Sequence, residues 1–297
     1  MMKTLLPLLA ALLLPPQVVE AGNFDLSHRA WTELLGKHVV LIDQGRASRV
    51  AYADLQTDSG RLQNYLQALS AVSQAEFTEW SKNDGLAFLI NAYNAFTLKL
   101  ILTRYPKLES IKDLGSLLRS PWKQRFFTLL GQEQSLDDIE HETMRKPGAF
   151  DDPRIHMAVN CASIGCPMLR EEAYVGARLD AQLDDQVRRF LSDRTRNRYS
   201  ASSNALEVSS IFKWYAEDFS RGYRGIRSVP AFLATHAELL ADRPVDRELI
   251  RTEQAPLEYL DYDWRLNDRG SGGSMAMSVF TYPLMRADIA ALLAEHD

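Results

Sequence analysis

Apolar residues recur along most of this chain at spacings of three and four, the period of a helix with one face turned inward. Leu55, Leu62, Tyr65, Leu66 and Leu69 predict a helix over 52–69, and Phe77 with Trp80 marks a shorter one after it. From 86 to 102 the pattern changes: apolar residues run almost all the way round, with Asn83 or Asp84 as the cap and Pro106 beyond the end. A helix apolar on every side is buried on every side, so this one belongs at the centre of the domain. Its polar interruptions, Asn91, Asn94, Thr97 and Lys99, are too many for a comfortable membrane span and too few for a surface helix.

Further along, 125–136 predicts a hairpin with Phe126 to Leu130 as one strand and Gly131, Gln132 and Glu133 turning. Ser135 opens a helix with Asp138 in capping-box position, and Arg145, Lys146 and Pro147 stop it. Leu179, Leu183, Val187 and Leu191 define an amphipathic helix over 177–192, whose Arg188, Arg189 and Arg194 read as a solvated face. Alternation over 206–211 predicts a strand running into a helix with Trp214, Tyr215 and Phe219; a short helix follows over 229–236, and 259–264 alternates again like a strand. Strands are few and separated by helices, and there is no internal repeat and no Gly-rich phosphate loop. The fold class is therefore helix-dominated α+β: one main domain over 22–267, a central buried helix and a small sheet. Beyond it, 268–297 reads as a Gly/Ser linker and a tail helix over 286–295.

The N-terminus changes the picture of where the protein works. Lys3, an apolar run over 5–14 and the small-residue site Val19-Glu20-Ala21 form the pattern of an export signal cut after Ala21. Ten apolar residues fall short of the roughly 20 that span a bilayer, so no transmembrane anchor is expected and the mature chain is periplasmic or secreted. A hydrophobic content of 46% supplies a core, while a net charge of −5 gives no basic footprint for nucleic acid. Small molecules, glycans or peptides are the expected partners, and no cofactor is implied.

Candidate chemistry concentrates between Asp152 and Pro167, which holds both cysteines of the chain, Cys161 and Cys166, with His156 and Asn160. A thiol, an imidazole and an amide are the groups of a thiol-dependent active site. In a strand Cys161 would face away from His156, and in a helix the two stand about 140° apart, so an ion pair between them needs a break near Asn160. Ser163, Gly165 and Pro167 allow such a break. His141, in the preceding helix beside Glu140, is the second candidate base. Asn91 and Asn94, three apart on the central helix, either staple loops to it or line a polar cleft, since a buried amide needs partners. Two cysteines in an exported chain also suit a Cys161–Cys166 disulfide, worth about 2 kcal/mol at most for so short a loop. A zinc set of Cys161, Cys166, His141 and His156 has poor spacing, and no metal is assigned.

The motifs Phe88 to Thr97, Ile139-Glu140-His141, Asp152 to His156, Asn160 to Ser163, Cys166-Pro167, Ile211 to Tyr215 and Tyr262 to Asn267 together resemble the family called domain of unknown function 547, over roughly 80–267. The resemblance implies that the family's motif positions here are Asn91, Asn94, Glu140, His141, His156, Asn160, Cys161, Ser163 and Cys166. Polar and reactive residues dominate that set, as in a site rather than a core. The functional expectation is an exported thiol-dependent hydrolase or acyl transferase of amide or peptide bonds. In it Cys161 is the nucleophile, His141 or His156 the base, and Asn91, Asn94, Glu140, Asn160 and Ser163 orient or bind; a cation such as Arg154 would lower the thiol pKa. The alternatives are a non-catalytic binding or scaffolding domain closed by the disulfide, and a metal-binding domain.

Overall fold

The computed structural model describes residues 24–116 and 119–270; the stretches expected to be an export signal and a tail helix over 286–295 lie outside the described residues. The fold is about half helical with small sheets, the helix-dominated α+β class that the pattern predicts. Its axis is the helix Lys82–Leu102, in which sixteen of 21 residues are buried. By length and composition that helix could cross a membrane, but the rest of the protein wraps it. Its cap is Ser81 rather than Asn83 or Asp84: Ser81 Oγ accepts from the Asp84 amide at 3.1 Å and donates to Asp84 Oδ2 at 2.6 Å, so the aspartate completes the cap instead of being it.

Around the axis, the expected 52–69 helix is two helices, Tyr52–Thr57 and Ser59–Ala71, broken at Asp58. Asp58 leaves helical geometry and takes Lys37 Nζ at 2.8 Å and His38 Nε2 at 3.0 Å, which ties the break to the helix Arg29–His38. The hairpin pairs Phe127–Leu129 with Gln132–Gln134, and its turn is Leu130-Gly131, both at positive φ, one residue earlier than the pattern suggested. Ser135 and Asp138 form the predicted reciprocal cap, and the helix they open, Asp138–Met144, is a π-helix. Among the elements that went unread in the sequence are the helix Arg29–His38, the hairpin Val39–Ile42 with Ala47–Val50, the strand Arg198–Ser200 and the helix Pro244–Arg251. The largest sheet orders Arg198–Ser200, Ala205–Ser209 and Leu257–Leu260; its first pair is antiparallel and its second parallel, with Leu206 opposite Leu257.

Two hydrophobic clusters result, one around Lys82–Leu102 and one around Phe190, Phe212, Phe219 and Phe232. The helix Leu179–Leu191 feeds both, with Leu179 and Leu183 in the first and Val187, Phe190 and Leu191 in the second. The short helix Ile155–Ala158 does the same: Ile155 and Ala158 face the first cluster and Met157 the second. The cysteine segment leaves this seam.

Candidate active site

The break that a reachable thiol requires is present. Val159 is extended, at φ −81° and ψ 136°, and ends the helix Ile155–Ala158. Asn160 then builds the loop: its amide nitrogen donates to Pro167 O at 2.7 Å, its Oδ1 accepts from Ala162 N at 3.0 Å, and its own N–H donates to Asn94 Oδ1 at 2.8 Å. These bonds hold Ala162 at φ 61°, a left-handed conformation that costs an alanine about 1 kcal/mol and swings the chain between Cys161 and Ser163. Next, the loop pairs with a distant stretch: Ile164 N donates to Arg265 O, Gly165 N to Asp263 O, and Asn267 N to Ala162 O. Gly165 is required there, because a Cβ would lie 2.9 Å from the Asp263 nitrogen.

The two sulfurs face each other at 3.0 Å as free thiols. They are not equivalent: Cys161 is half-buried and Cys166 buried behind it, its Sγ accepting the Cys161 N–H at 3.0 Å. The hydroxyls of Ser163 and Tyr262 each lie 3.2 Å from Cys161 Sγ and 3.1 Å from one another. Hydrogen bonding from the Cys166 thiol, and then from Ser163 and Tyr262, outweighs burial and holds the Cys161 thiol below the ordinary range. Burial, together with the neighbouring sulfur, pushes Cys166 well above it.

Aromatic rings wall the pair. Tyr262 packs against Trp214 and Trp264 at centroid distances of 4.9 and 4.5 Å, Trp122 meets Trp264 at 5.8 Å, and Lys112 Nζ sits 3.7 Å over the Trp264 ring. Burial lowers the Lys112 pKa, and the charge of Cys161 opposes that shift, so the ammonium and the thiol sense each other.

The candidate bases stand elsewhere. His156 Nε2 bonds Asp218 Oδ2 at 2.6 Å, and its ring stacks on Tyr215 at 3.8 Å. His141 lies against Arg145, with Asp137 Oδ1 at 3.8 Å. Among the described residues the hydrogen bonds of Cys161 go to Cys166, Ser163 and Tyr262 and to no imidazole. Arg154 is held by Asp152, Asp180 and Asp184, away from the role expected for it. Nor do the four would-be zinc ligands gather: among the described residues no group of three or more His, Cys, Asp or Glu is placed to hold a metal ion.

Asn91 and Asn94 are staples. Asn91 exchanges two hydrogen bonds with the Tyr174 backbone, at 2.7 and 3.0 Å, and Asn94 bridges Ala158 O and Asn160 N. Asn160 and Ser163 shape and touch the thiol centre, while Glu140 is buried away from it beside Tyr215. Tyr262, Trp214, Lys112 and Asp218 carry the site's environment and were not singled out as site residues in the sequence. The signal for the first two lay in the motifs at 211–215 and 262–267; nothing marked Lys112 or Asp218, which approach through the tertiary fold.

Fold and centre together define a helix-dominated α+β protein with a paired-thiol site on an asparagine-braced loop. Residues 77–191 match the family described as "Protein of unknown function, DUF547". No curated protein and no solved structure matches the chain.

Proposed function

We propose that this is an exported thiol protein whose centre performs dithiol–disulfide exchange, with Cys161 attacking and Cys166 resolving. One observation carries the reading: a half-buried, acidified thiol has a buried, less acidic one 3.0 Å behind it. That asymmetry suits the two successive displacements of exchange chemistry. The Cys161 thiolate attacks a substrate disulfide, forms a mixed disulfide and expels one thiolate. Cys166 then gives up its proton and attacks the Cys161 sulfur, closing the Cys161–Cys166 bond and releasing the second thiol. The substrate gains two electrons and two protons and the protein dithiol loses them. The same steps run in reverse when a dithiol meets the closed form.

The test is to mix reduced mature protein with bis(2-hydroxyethyl) disulfide and follow thiol release and protein mass. Loss of two hydrogens with both cysteines blocked to alkylation is the expected outcome. A reaction that stops at a mixed disulfide on Cys161, with Cys166 still alkylatable, refutes resolution. Recovery of the chain from the periplasm or medium with a new N-terminus after Ala21 tests export.

A second reading, amide or peptide hydrolysis or acyl transfer through a Cys161 thioester, draws on the Tyr262 hydroxyl 3.2 Å from the sulfur. The thiolate would add to the carbonyl, the amine would leave with the Tyr262 proton, and water would cleave the thioester, giving one proton back to the phenolate and the other to the thiolate and leaving the product as a carboxylate. Acyl mass accumulating on Cys161 with an activated ester, with Cys166→Ser still active, favours that reading over exchange. A binding domain without thiol chemistry predicts instead that Cys161→Ser and Cys166→Ser lower the melting temperature equally.

A further inference from the structure

Three atoms around the reactive sulfur form a nearly equilateral triangle. Cys161 Sγ lies 3.2 Å from Ser163 Oγ and 3.2 Å from the Tyr262 hydroxyl, and the two oxygens are 3.1 Å apart. A ligand atom that caps this triangle sits about 3 Å from all three, within attacking distance of the sulfur and hydrogen-bonding distance of both hydroxyls. Cys161 and Tyr262 are half-buried and Ser163 is buried, a setting that admits a ligand of a few atoms more readily than a folded protein.

The chemistry of the donors says what belongs on the cap. A hydroxyl donates well to oxygen, whereas sulfur is a weak acceptor. A thiolate expelled from a disulfide is a weak base and leaves without an acid. An alkoxide or hydroxide expelled from an O–O bond is a strong base, and a positioned proton donor speeds its departure. Beyond favouring the Cys161 thiolate, two hydroxyls at the attacking atom do little for disulfide exchange; they answer the need of peroxide cleavage. The second sulfur fits as well. Cys166 Sγ is already 3.0 Å from Cys161 Sγ, so a sulfenic acid formed there is captured before another oxidant carries it to sulfinic acid.

We propose that the centre reduces small hydroperoxides, with Tyr262 and Ser163 as the hydroxyl donors at the O–O bond. The Cys161 thiolate attacks the terminal oxygen, and the S–O bond forms as the O–O bond breaks. The leaving alkoxide, or hydroxide from hydrogen peroxide, takes the Tyr262 proton. The phenolate, to which Ser163 Oγ donates, recovers a proton from solvent, the one the thiol released on ionising. Cys166 then gives up its proton, attacks the sulfenic sulfur and expels the hydroxyl as water, closing the Cys161–Cys166 bond. The dithiol loses two electrons and two protons, and the hydroperoxide becomes alcohol and water. Oxidation by peroxide stands apart from the exchange reading; only the return of the disulfide to the dithiol, by an external dithiol, rests on it.

The test sets the rate of the reduced mature protein with hydrogen peroxide against its rate of alkylation by iodoacetamide. Both reagents need the thiolate, but iodide leaves without a proton. The peroxide-to-iodoacetamide ratio, divided by the same ratio for dithiothreitol, is expected to be about tenfold or more, the value of one hydrogen bond to a charged oxygen. Tyr262→Phe keeps the ring that packs on Trp214 and Trp264 and should lower the ratio about tenfold, and Ser163→Ala should lower it less. The ratio divides out the thiolate fraction, so a change in thiol pKa alone leaves it unmoved. In Cys166→Ser, dimedone should trap Cys161 as the sulfenic acid, and no adduct would count against that intermediate. A wild-type ratio equal to that of dithiothreitol overturns the proposal, a comparison that needs no variant to fold. A high ratio kept by both Tyr262→Phe and Ser163→Ala overturns the role of the hydroxyls. Exchange with bis(2-hydroxyethyl) disulfide at an ordinary peroxide ratio defeats peroxide reduction and leaves the exchange reading standing; a high peroxide ratio with an inert disulfide does the reverse.

Discussion

Replacing Cys166 by alanine isolates what the second sulfur does for the first. The Cys166 thiol, 3.0 Å from Cys161 Sγ, is the largest of the influences that lower the Cys161 pKa, ahead of Ser163 and Tyr262. A hydrogen bond to a charged group contributes about 1.5–3 kcal/mol, and 1.36 kcal/mol corresponds to one pKa unit, so losing it raises Cys161 by about one to two units. Below both pKa values the thiolate fraction falls about 10- to 100-fold. A more basic thiolate is also a better nucleophile, with a Brønsted slope of about 0.5, which restores roughly half of that loss on a logarithmic scale. Alkylation of Cys161 by iodoacetamide near neutral pH should therefore slow by about three- to tenfold, and its pH profile should move to higher pH. Cys166→Ser, which keeps a hydroxyl donor, should fall between wild type and Cys166→Ala. Because Cys166 Sγ also accepts the Cys161 N–H, the comparison is made on variants with matched melting curves. An unchanged or faster rate with an unmoved profile would refute the claim that Cys166 stabilises the thiolate.

Asn94→Ala removes two bonds to buried backbone, at 2.8 and 3.0 Å, and should lower stability by about 2–4 kcal/mol in denaturant melts; a loss no larger than that of an exposed substitution would count against the staple. Gly165→Ala drives a Cβ against Asp263, so the 262–267 stretch should lift and Cys161 should alkylate faster, in contrast to Cys166→Ala; an unchanged rate would place that stretch away from the thiol. Burial pushes the His28 imidazole to about 4, so it stays neutral in the fold and gains a proton when unfolded. Stability is then complete above the ordinary value of 6.5 and declines as pH falls toward 4, by about 3 kcal/mol from this residue. Burial lowers His156 as well, which acts in the same direction over that interval, whereas Asp218, held below the carboxylate range by His156 and Arg145 against its own burial, loses its contribution only at pH values below the ordinary carboxylate range. Thermal melts across that interval check it, and a level melting temperature would contradict it.

The central helix and the capped helix after the hairpin were legible because burial on all sides and a reciprocal Ser135–Asp138 cap leave marks in adjacent residues. The break at Asp58 was not, since its cause, Lys37 and His38, lies some twenty residues upstream. At the site, sequence placed Cys161, Cys166, Asn160 and Ser163 together because one loop carries them. It paired the thiol with His141 or His156 because chemistry favours an imidazole. The fold turned His156 toward Asp218, sixty-two residues on, and gave Cys161 the Tyr262 hydroxyl 101 residues away. Such meetings depend on which faces two hydrophobic clusters bury, information that no local window contains. The asparagines followed the same logic: two amides on a buried helix announced a need for partners but not that the partners are main-chain groups of Tyr174, Ala158 and Asn160.

The crossing of the 262–267 stretch over the cysteine loop has a practical consequence for anyone dissecting this protein. The span that the family match covers stops at 191, yet the phenol on the reactive sulfur and the backbone that clasps residues 162–165 come from the far end of the polypeptide. A fragment trimmed to the recognisable portion would keep both cysteines and lose the lid that shapes them. Its reactivity would describe an unassembled peptide, whereas the intact chain cannot complete its centre until synthesis has passed Asn267.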